Sequence, residues 1–277
     1  MSLAFRSIVH PTDFSSLSSK GLAHALRIAL AARCKLYLLH VAESADDHAE
    51  IVLSHLQRLL TQWQLMDETD LPSALASKLG VDIENVRLEQ QDPIDGLASF
   101  LKKNVCDLVV FATHGRDGLD RWLEGSIAES VFGHAAIPTL FVPLHARGFV
   151  SEVSGDFRLQ RVLIPVDFSP APGRAIAVIQ RLAELLSGTN VTTQLLHVGS
   201  SAPPIRSESP EKETLPQVIL RNGSIVDSIV DAAVEFDADL IGMPTAGHHG
   251  VLDALRGSTT ERVIRHAPCP VLAVPAV

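Results

Sequence analysis

The fold of this 277-residue chain is decided by one stretch, Ala112-Thr-His-Gly-Arg-Asp-Gly-Leu-Asp-Arg-Trp-Leu-Glu-Gly-Ser126. The apolar run 108–111 precedes it and a helical pattern, 127–132, follows it, so the order predicted is strand, glycine loop and helix. Glycine permits positive φ and lets backbone N–H groups come close to a ligand. A helix N-terminus adds unsatisfied N–H donors and a partial positive charge. The stretch is therefore typical of an anion site, most simply a phosphate site.

The glycine spacing of this stretch occurs a second time. In each copy nine residues separate two glycines and a serine follows directly: Gly115, Gly125 and Ser126, then Gly247, Gly257 and Ser258. Each serine also begins an S-x-x-E capping box, which explains the serine and the glutamate without a ligand. A cap leaves the glycine spacing unexplained, so a phosphate-type site in at least one half is the favoured interpretation.

Composition limits the classes of protein to which the chain can belong. The length suits about two domains at ~150 residues each, and 46% of the residues are hydrophobic. The net charge is −9 and Lys and Arg form no dense run, which argues against nucleic acid or an anionic membrane as partner. The three cysteines form no C-x-x-C pair, the twelve histidines are scattered, and the first residues lack a signal-peptide layout. We expect a cytoplasmic protein without a metal site.

Helices and strands alternate along the first half. Apolar runs predict strands at 5–9, 35–41, 86–90, 108–111 and 138–142. Helical spacing of apolar residues predicts helices at 16–32, 50–63, 71–79 and 94–103. This alternation predicts a doubly wound parallel sheet.

The pattern then starts again, which indicates a tandem duplication. Three segments of the second half repeat segments of the first: 161–169 repeats 7–15, 194–198 repeats 38–41, and 266–275 repeats 134–143. We therefore predict a first domain at 1–143, a linker at 144–158 and a second domain at 159–277.

The second half is shorter than the first between its second and third strands. The segment 199–216 is polar and rich in proline, which predicts a loop. The second domain is therefore expected to lack its second helix. Because a parallel sheet needs cover on both faces, another domain or subunit is expected to cover the gap.

Four motifs that occur in the same order in both halves resemble the universal stress protein family. They are an aspartate after strand one, a valine at the end of strand two, the G-x9-G-S loop and a closing P-x-L-x-V-P strand. The resemblance spans nearly the whole chain. It implies two tandem Rossmann-like α/β domains, each with a five-stranded parallel sheet of order 3-2-1-4-5.

The resemblance also implies a nucleotide site, because members divide into ATP binders and non-binders. It places Asp13 and Val41 at adenine and the first glycine loop at ribose and phosphate; the second half has Asp167, Val198 and the second loop at the same places. Bound ATP would bring Mg²⁺. The aspartates lie beyond the carboxyl end of a strand, where open α/β sheets bind ligands. Capping the next helix is an alternative role for them.

The chain departs from the family at the first glycine of each loop, where it has Ala112 and Pro244. Proline removes an N–H donor, so the first half is favoured for nucleotide. Two observations point the other way: Gly223 and Thr259 match the family in the second half, and Gln91 departs from it in the first.

Neither G-x-x-x-x-G-K-(S/T) nor G-x-G-x-x-G occurs, and no constellation for strong phosphoryl transfer is present. The expected function is adenine-nucleotide binding as a stress-response or regulatory factor, with little or no hydrolysis. The alternative is a nucleotide-free interaction protein whose site has degenerated. The family also pairs domains through the last strand, so 138–143 and 270–275 are expected to pair within the chain, and homodimerisation is expected to cover the bare face.

Overall fold

A computed structural model describes residues 5–12, 18–42, 48–67, 74–89, 93–113, 137–188, 191–205, 216–246 and 259–276. Within these ranges the strands are β1 Ser7–Pro11, β2 Lys35–Ala42, β3 Asp82–Glu89, β4 Leu108–Thr113, β5 Thr139–Pro143, β6 Arg161–Pro165, β7 Thr192–Val198, β8 Val218–Arg221, β9 Leu240–Ala246 and β10 Val271–Ala276. The helices are α1 Ser19–Ala32, α2 His48–Gln62, α3 Ala74–Leu79, α4 Pro93–Lys103, α5 Gly173–Ser187, α6 Ile225–Glu235 and α7 Thr259–His266.

All ten strands form one sheet of order β3-β2-β1-β4-β5-β10-β9-β6-β7-β8. Within each half every neighbouring pair is parallel. Numbered within its own half, each set of five strands has the order 3-2-1-4-5, as the resemblance implies. The order reverses between β1 and β4 and again between β6 and β9, which places a topological switch point in each half.

The two halves meet at β5 and β10, which pair antiparallel with Leu272 opposite Leu140. Antiparallel pairing within one continuous sheet relates the halves by an approximate half-turn about an axis perpendicular to the sheet. Equivalent helices therefore cover the same face, and α1 and α5 are in contact.

Each face of the sheet carries its own buried cluster. Consecutive strand residues such as Ile8 and Val9 point to opposite faces, and both are fully buried, as expected for a parallel sheet covered on both sides. The first cluster includes residues of α1, α2 and α5, and the second includes residues of α4, α6 and α7.

The third strand is longer than the apolar run predicts, because β3 begins at Asp82 and pairs with β2 along its whole length. Its acidic side chains lie at the edge of the sheet, where Lys35 forms ion pairs with Asp82 at 3.3 Å and Glu84 at 2.7 Å. Charged residues on an edge strand prevent pairing with other chains. The acidic residues that interrupt the apolar run, and so shortened the predicted strand, are therefore suited to an edge position.

The segment 144–158 connects β5 to β6 and packs on the first half instead of lying in solvent. Phe149 and Val150 are buried, and Val150 forms a β-bridge with Phe157. The indole N–H of Trp63, which follows α2, donates to the carbonyl of Glu152 at 3.1 Å. The connection is therefore a structured part of the fold.

The second half has a short connection between β7 and β8. Its described parts, 199–205 and 216–217, contain no helix, as the polar composition predicts; residues 206–215 lie outside the described ranges. On β8, the adjacent edge strand, Ile219 and Leu220 are 41% and 45% exposed. None of the helices in the described ranges is long and apolar enough to cross a membrane.

Candidate functional site

The candidate site in each half lies at the carboxyl edge of the sheet, at the switch point. Of the residues predicted to bind nucleotide, the structure describes Asp167 and Val198 and the backbone of Val41. Val41 is the next-to-last residue of β2, and Val198 is the last residue of β7. Asp167 lies two residues after the end of β6. The other predicted residues lie outside the described ranges: Asp13, Gly115, Gly125, Ser126, Gly247, Gly257 and Ser258.

A histidine at the end of β7 holds the backbone that leads into Asp167. The Nδ1 atom of His197 lies 2.9 Å from the carbonyl oxygen of Val166. Because a carbonyl oxygen only accepts, Nδ1 carries the proton and donates it. The backbone N–H of Val166 in turn donates to the carbonyl of Leu196 at 2.8 Å. The position before the aspartate is thus bound twice to β7.

The first half repeats this arrangement. His40 of β2 lies with its Nδ1 atom 3.0 Å from the carbonyl oxygen of Thr12, the residue before Asp13. The backbone N–H of Thr12 donates to the carbonyl of Leu39 at 2.9 Å. Two independent occurrences of one contact indicate that the histidine positions the backbone residue just before the predicted adenine-binding aspartate.

The side chain of Asp167 is 61% exposed. Its Oδ1 atom accepts the backbone N–H of Phe168 at 2.7 Å and lies 3.8 Å from Nδ1 of His197. The Phe168 ring meets the His197 ring edge-on, with 5.6 Å between centroids, and is 58% exposed. A carboxylate and an aromatic ring therefore stand together, accessible to a ligand, at the end of β6.

The adjacent strand β9 brings a buried hydroxyl to the same edge. Thr245 is 8% exposed, and among the described residues no group forms a hydrogen bond with its Oγ1 atom. A buried polar group without a partner is destabilising, so it is uncommon in native structures. A ligand or a water molecule at the switch point would satisfy this hydroxyl.

The two departures from the family's loop have different surroundings. The Ala112 methyl group lies against Gly21 of α1, where a Cβ atom on Gly21 would come within 3.0 Å of it. Pro244 lies within β9, opposite Val274, and the parallel register continues beyond it to Ala246. Glycine at position 21 thus makes room for alanine, whereas proline is accepted in the strand at the loss of one N–H donor.

The second glycine loop has the predicted strand before it and helix after it, because β9 ends at Ala246 and α7 begins at Thr259. Glu261 in the first turn of α7 is 6% exposed and accepts hydrogen bonds from Arg265, at 2.7 Å from Nη2 and 3.1 Å from Nε. An acidic residue in the first turn also interacts favourably with the helix dipole. The ion pair between Glu261 and Arg265 has a structural role in holding the helix that follows the loop.

Metal and thiol chemistry receive no support from the described part of the chain. No group of three or more His, Cys, Asp or Glu residues is arranged there to hold a metal ion. The thiols of Cys34, Cys106 and Cys269 are buried, and burial raises the pKa of each to about 12. Thiols with such pKa values are poor nucleophiles at neutral pH.

Sequence comparison identifies the family to which this architecture belongs. The model of the Universal stress protein family matches residues 4–143 and 205–275, more than half of the chain. The chain is therefore a member of the universal stress protein family. The match in two segments agrees with the duplication.

Individual relatives agree with a tandem arrangement. Universal stress protein MJ0531 of Methanocaldococcus jannaschii is 31% identical over 141 residues, which cover 50% of this chain and 82% of the relative. Universal stress protein A homolog 1 of Coxiella burnetii is 29% identical over 141 residues, or 42% of this chain and 95% of the relative. A universal stress protein structure from Archaeoglobus fulgidus has a TM-score of 0.60 at 20% identity and covers 99% of this chain and 98% of its own. That likeness shows a shared fold over the full tandem length.

Two features of the site escaped prediction from sequence. The first is the pair His40 and His197, which the repeated segment Leu-Leu-His-Val contains in both halves. Comparing the two halves residue by residue could have identified them. The second is the buried hydroxyl of Thr245, for which no local pattern exists because its burial depends on neighbouring strands and helices.

Proposed function

We propose that this protein binds an adenine nucleotide, ATP, at the carboxyl edge of at least one half and acts as a stress-response or regulatory factor with little or no hydrolysis. The observation that carries the proposal lies in the second half. Asp167, Val198 and Thr245 lie at or next to the carboxyl ends of three neighbouring parallel strands, and the Thr245 hydroxyl has no hydrogen-bond partner among the described residues. Open α/β sheets bind ligands at this edge.

The residue types suit the parts of ATP. An aspartate carboxylate, or the backbone beside it, can accept a hydrogen bond from the adenine amino group. The loop between β9 and α7 would offer glycine N–H groups and a helix N-terminus to the phosphates. ATP would bring its own Mg²⁺, coordinated mainly by phosphates and water. In the described ranges no group of three or more His, Cys, Asp or Glu residues is arranged to hold a metal ion.

The first half is the favoured site because of the contact between Gly21 and Ala112. The alanine methyl group is accommodated against α1, so it need not occupy space beside the ribose or phosphate. Pro244 of the second half lacks the N–H that the family's glycine offers. The alternative, a nucleotide-free interaction protein, would follow if neither substitution is compatible with binding.

A matched pair of variants tests the proposal. Mass spectrometry of small molecules released from the denatured protein, together with calorimetric titration of the apo protein with Mg-ATP, gives identity and stoichiometry. One nucleotide per chain, lost in Asp13→Asn and retained in Asp167→Asn, would support the first half. Two per chain, each variant losing one, would mean that both halves bind. If no nucleotide is released and titration with Mg-ATP gives no heat of binding, the proposal is wrong and the alternative, a nucleotide-free interaction protein, is favoured.

We also propose the division into units: one at 1–143 and one at 159–277, connected by 144–158, in a cytoplasmic homodimer. The packing of Phe149 and Val150 on α1 and the antiparallel contact of β5 with β10 support a rigid single-chain arrangement of the two units. The exposed apolar side chains of β8 support a second interface between copies. Limited proteolysis tests the boundaries: cleavage within 144–158 in the folded protein would contradict a rigid connection.

A further inference from the structure

The two central strands of the first half, β1 and β4, separate before they reach the carboxyl edge of the sheet. The pairs between them are Ile8 with Leu108 and Val9 with Val109. Beyond these pairs β1 stays joined to β2, and β4 stays joined to β5 as far as Thr113. A crevice therefore begins directly beyond the last pair, at the switch point where open α/β sheets bind ligands.

The side chain of His10 spans the start of this crevice. It is fully buried, and its Nδ1 atom lies 2.9 Å from the carbonyl oxygen of Val110. Because a carbonyl oxygen only accepts, Nδ1 carries the proton and donates it. This hydrogen bond joins β1 to β4 at the level where the backbone pairing of the two strands has ended. A side chain thus holds the two edges of the crevice together at its base.

The backbone of Ala112 faces the same side of β4 as this bond. The N–H of Val109 donates to the carbonyl of Pro138, next to β5. Hydrogen-bonding groups of successive strand residues point to alternate sides, so those of Val110 and Ala112 point toward β1. The Ala112 N–H therefore points into the crevice, two residues beyond the carbonyl that His10 holds.

Helix α1 packs directly on both groups. A Cβ atom on Gly21 would come within 2.9 Å of ring atom Cε1 of His10, and within 3.0 Å of both the Cβ atom and the backbone nitrogen of Ala112. Contacts this close leave no slack between the helix, the ring and the strand. A displacement of the His10 ring would therefore change the position of the Ala112 N–H.

The second half is built differently at these positions. Ile164, which is also fully buried, stands where the first half has His10. On β9, a Cβ atom on Gly242 would come within 2.3 Å of Cδ1 of Ile179, so an isoleucine of α5 lies directly on the strand. Pro244 has no N–H to donate. The second crevice thus has an apolar base and no backbone donor at the position of the alanine.

We propose that His10 is a positioning residue of the first-half nucleotide site. By binding the Val110 carbonyl, it fixes the crevice edge of β4 so that the Ala112 N–H donates to an oxygen atom of the ribose or phosphates. His10 is too deeply buried to touch the nucleotide itself. The inference rests on the proposed binding of ATP, and it accounts for binding by a half that has alanine at the first position of its loop.

Calorimetric titration with Mg-ATP tests this role in an Asp167→Asn parent, whose remaining site is that of the first half. His10→Ile introduces the residue that the fold accepts in the second half. It should weaken binding about 10-fold through loss of one hydrogen bond. His10→Asn places an amide N–H at the position of Nδ1 and should stay within about 3-fold of the parent. If His10→Ile does not fold, His10→Phe, which keeps a ring without a donor, replaces it.

Two further variants separate positioning from stability. Ile8→Val shortens another fully buried side chain on the same face of β1, and should lower the melting temperature without changing ATP affinity. Ala112→Pro removes the N–H itself. Because His10 acts through that N–H, His10→Ile should weaken binding less in Ala112→Pro than in the parent. Lost stability alone does not produce such non-additivity.

The inference is wrong if folded His10→Ile or His10→Phe keeps the parent's ATP affinity, or if Ile8→Val weakens binding as much as they do. Additive effects of His10→Ile and Ala112→Pro would also contradict it. If the Asp167→Asn parent binds no ATP although the unsubstituted protein does, the nucleotide occupies the second half. The role of His10 is then wrong, whereas ATP binding by the protein stands. If neither protein binds ATP, both proposals are wrong.

Discussion

The imidazole of His24 in α1 accepts a hydrogen bond from the backbone N–H of Phe149, with 3.1 Å between the two nitrogen atoms. A second N–H, that of Val150, lies 3.3 Å from the same Nε2 atom. The other ring nitrogen, Nδ1, donates to the carbonyl of Lys20 at 2.7 Å. These contacts require the neutral ring with its proton on Nδ1. One buried histidine thus fixes the connecting segment to the first helix.

This arrangement predicts a loss of stability in mild acid. Burial lowers the pKa of His24 from 6.5 to about 4, and the Lys20 carbonyl opposes this in part. The unfolded chain therefore binds a proton below pH 6.5 that the folded chain does not bind until about pH 4. Stability is complete above pH 6.5 and falls as the pH is lowered toward 4, by on the order of 3 kcal/mol. Urea unfolding between pH 4 and pH 8 measures it.

His24→Val is the control for this titration, because Val178 occupies the same position in α5. The variant removes the titrating ring and leaves two backbone N–H groups without their acceptor, so at pH 8 we expect it to be less stable by about 2–4 kcal/mol. The difference from the parent should shrink as the pH falls from 6.5 to 4. A difference that stays constant over that range would contradict the assignment.

Asp239 and Asp107 occupy equivalent positions in the two halves, but we expect their replacement by alanine to lower stability by different amounts. Asp239 is 2% exposed, accepts the backbone N–H groups of Gln160 and Arg161 at 2.8 and 2.9 Å, and binds Arg147 at 2.8 Å. Asp107 accepts two similar N–H groups, at 2.8 and 3.0 Å. We expect Asp239→Ala to lower the free energy of unfolding by about 3–5 kcal/mol and Asp107→Ala by about 1–3 kcal/mol. Equal effects in denaturant unfolding would show that Arg147 adds nothing.

Gly155 and Gly188 separate backbone strain from side-chain overlap. Both have positive φ, 70° and 65°. A Cβ atom at Gly188 meets nothing within 4 Å, whereas one at Gly155 meets the Trp63 ring. Gly188, with φ 65° and ψ −142°, lies in a region that is nearly restricted to glycine, so Gly188→Ala should destabilise by about 1–3 kcal/mol through strain alone. Gly155→Ala should lower the free energy of unfolding through strain as well, and by about 1–3 kcal/mol more through overpacking against the Trp63 ring. Thermal unfolding of the two variants compares them, and equal shifts would mean that Trp63 moves freely.

The duplication made most of the fold predictable. Segments such as 7–15 and 161–169 align without a gap, and apolar runs without alternation indicate strands covered on both faces. The packing of 144–158 could not be predicted in the same way. Its contacts, such as that between His24 and Phe149, join residues 125 positions apart. No local pattern contains such a pairing, so the segment was predicted to be a linker.

The candidate site was predictable only where a motif occurs twice. Asp167 and Val198 were predicted from the family resemblance, whose motifs also place Asp13 and Val41 at the matching positions of the first half. The role of His197 depends on its distance to the Val166 carbonyl, and that distance arises from the pairing of β6 with β7. Sequence identifies the repeated histidine, but only the register of the strands shows what it binds.

His40 and His197 predict a change in nucleotide binding without a change in the residues that touch the nucleotide. His40→Phe and His197→Phe keep a ring of similar size but remove the donor to the carbonyl before Asp13 or Asp167. We expect roughly 5- to 10-fold weaker Mg-ATP binding at the affected half, the value of about one hydrogen bond. Calorimetry of both variants measures it. If the half that binds ATP keeps its affinity, the histidine does not position the aspartate.

The exposed edge of the sheet at β8 predicts the interface of a homodimer. The opposite edge, β3, carries Asp82 and Glu84, and such charges prevent edge-to-edge association. On β8 two consecutive apolar residues, Ile219 and Leu220, are instead 41% and 45% exposed, one toward each face of the sheet, beside a connection shorter than its counterpart in the first half. Ile219→Lys should therefore shift the protein from dimer to monomer in sedimentation at micromolar concentration. Val105→Lys, at an isolated position that is 83% exposed, should leave the dimer intact. A protein that is already monomeric, or an Ile219→Lys variant that remains dimeric, would place any association elsewhere on the surface.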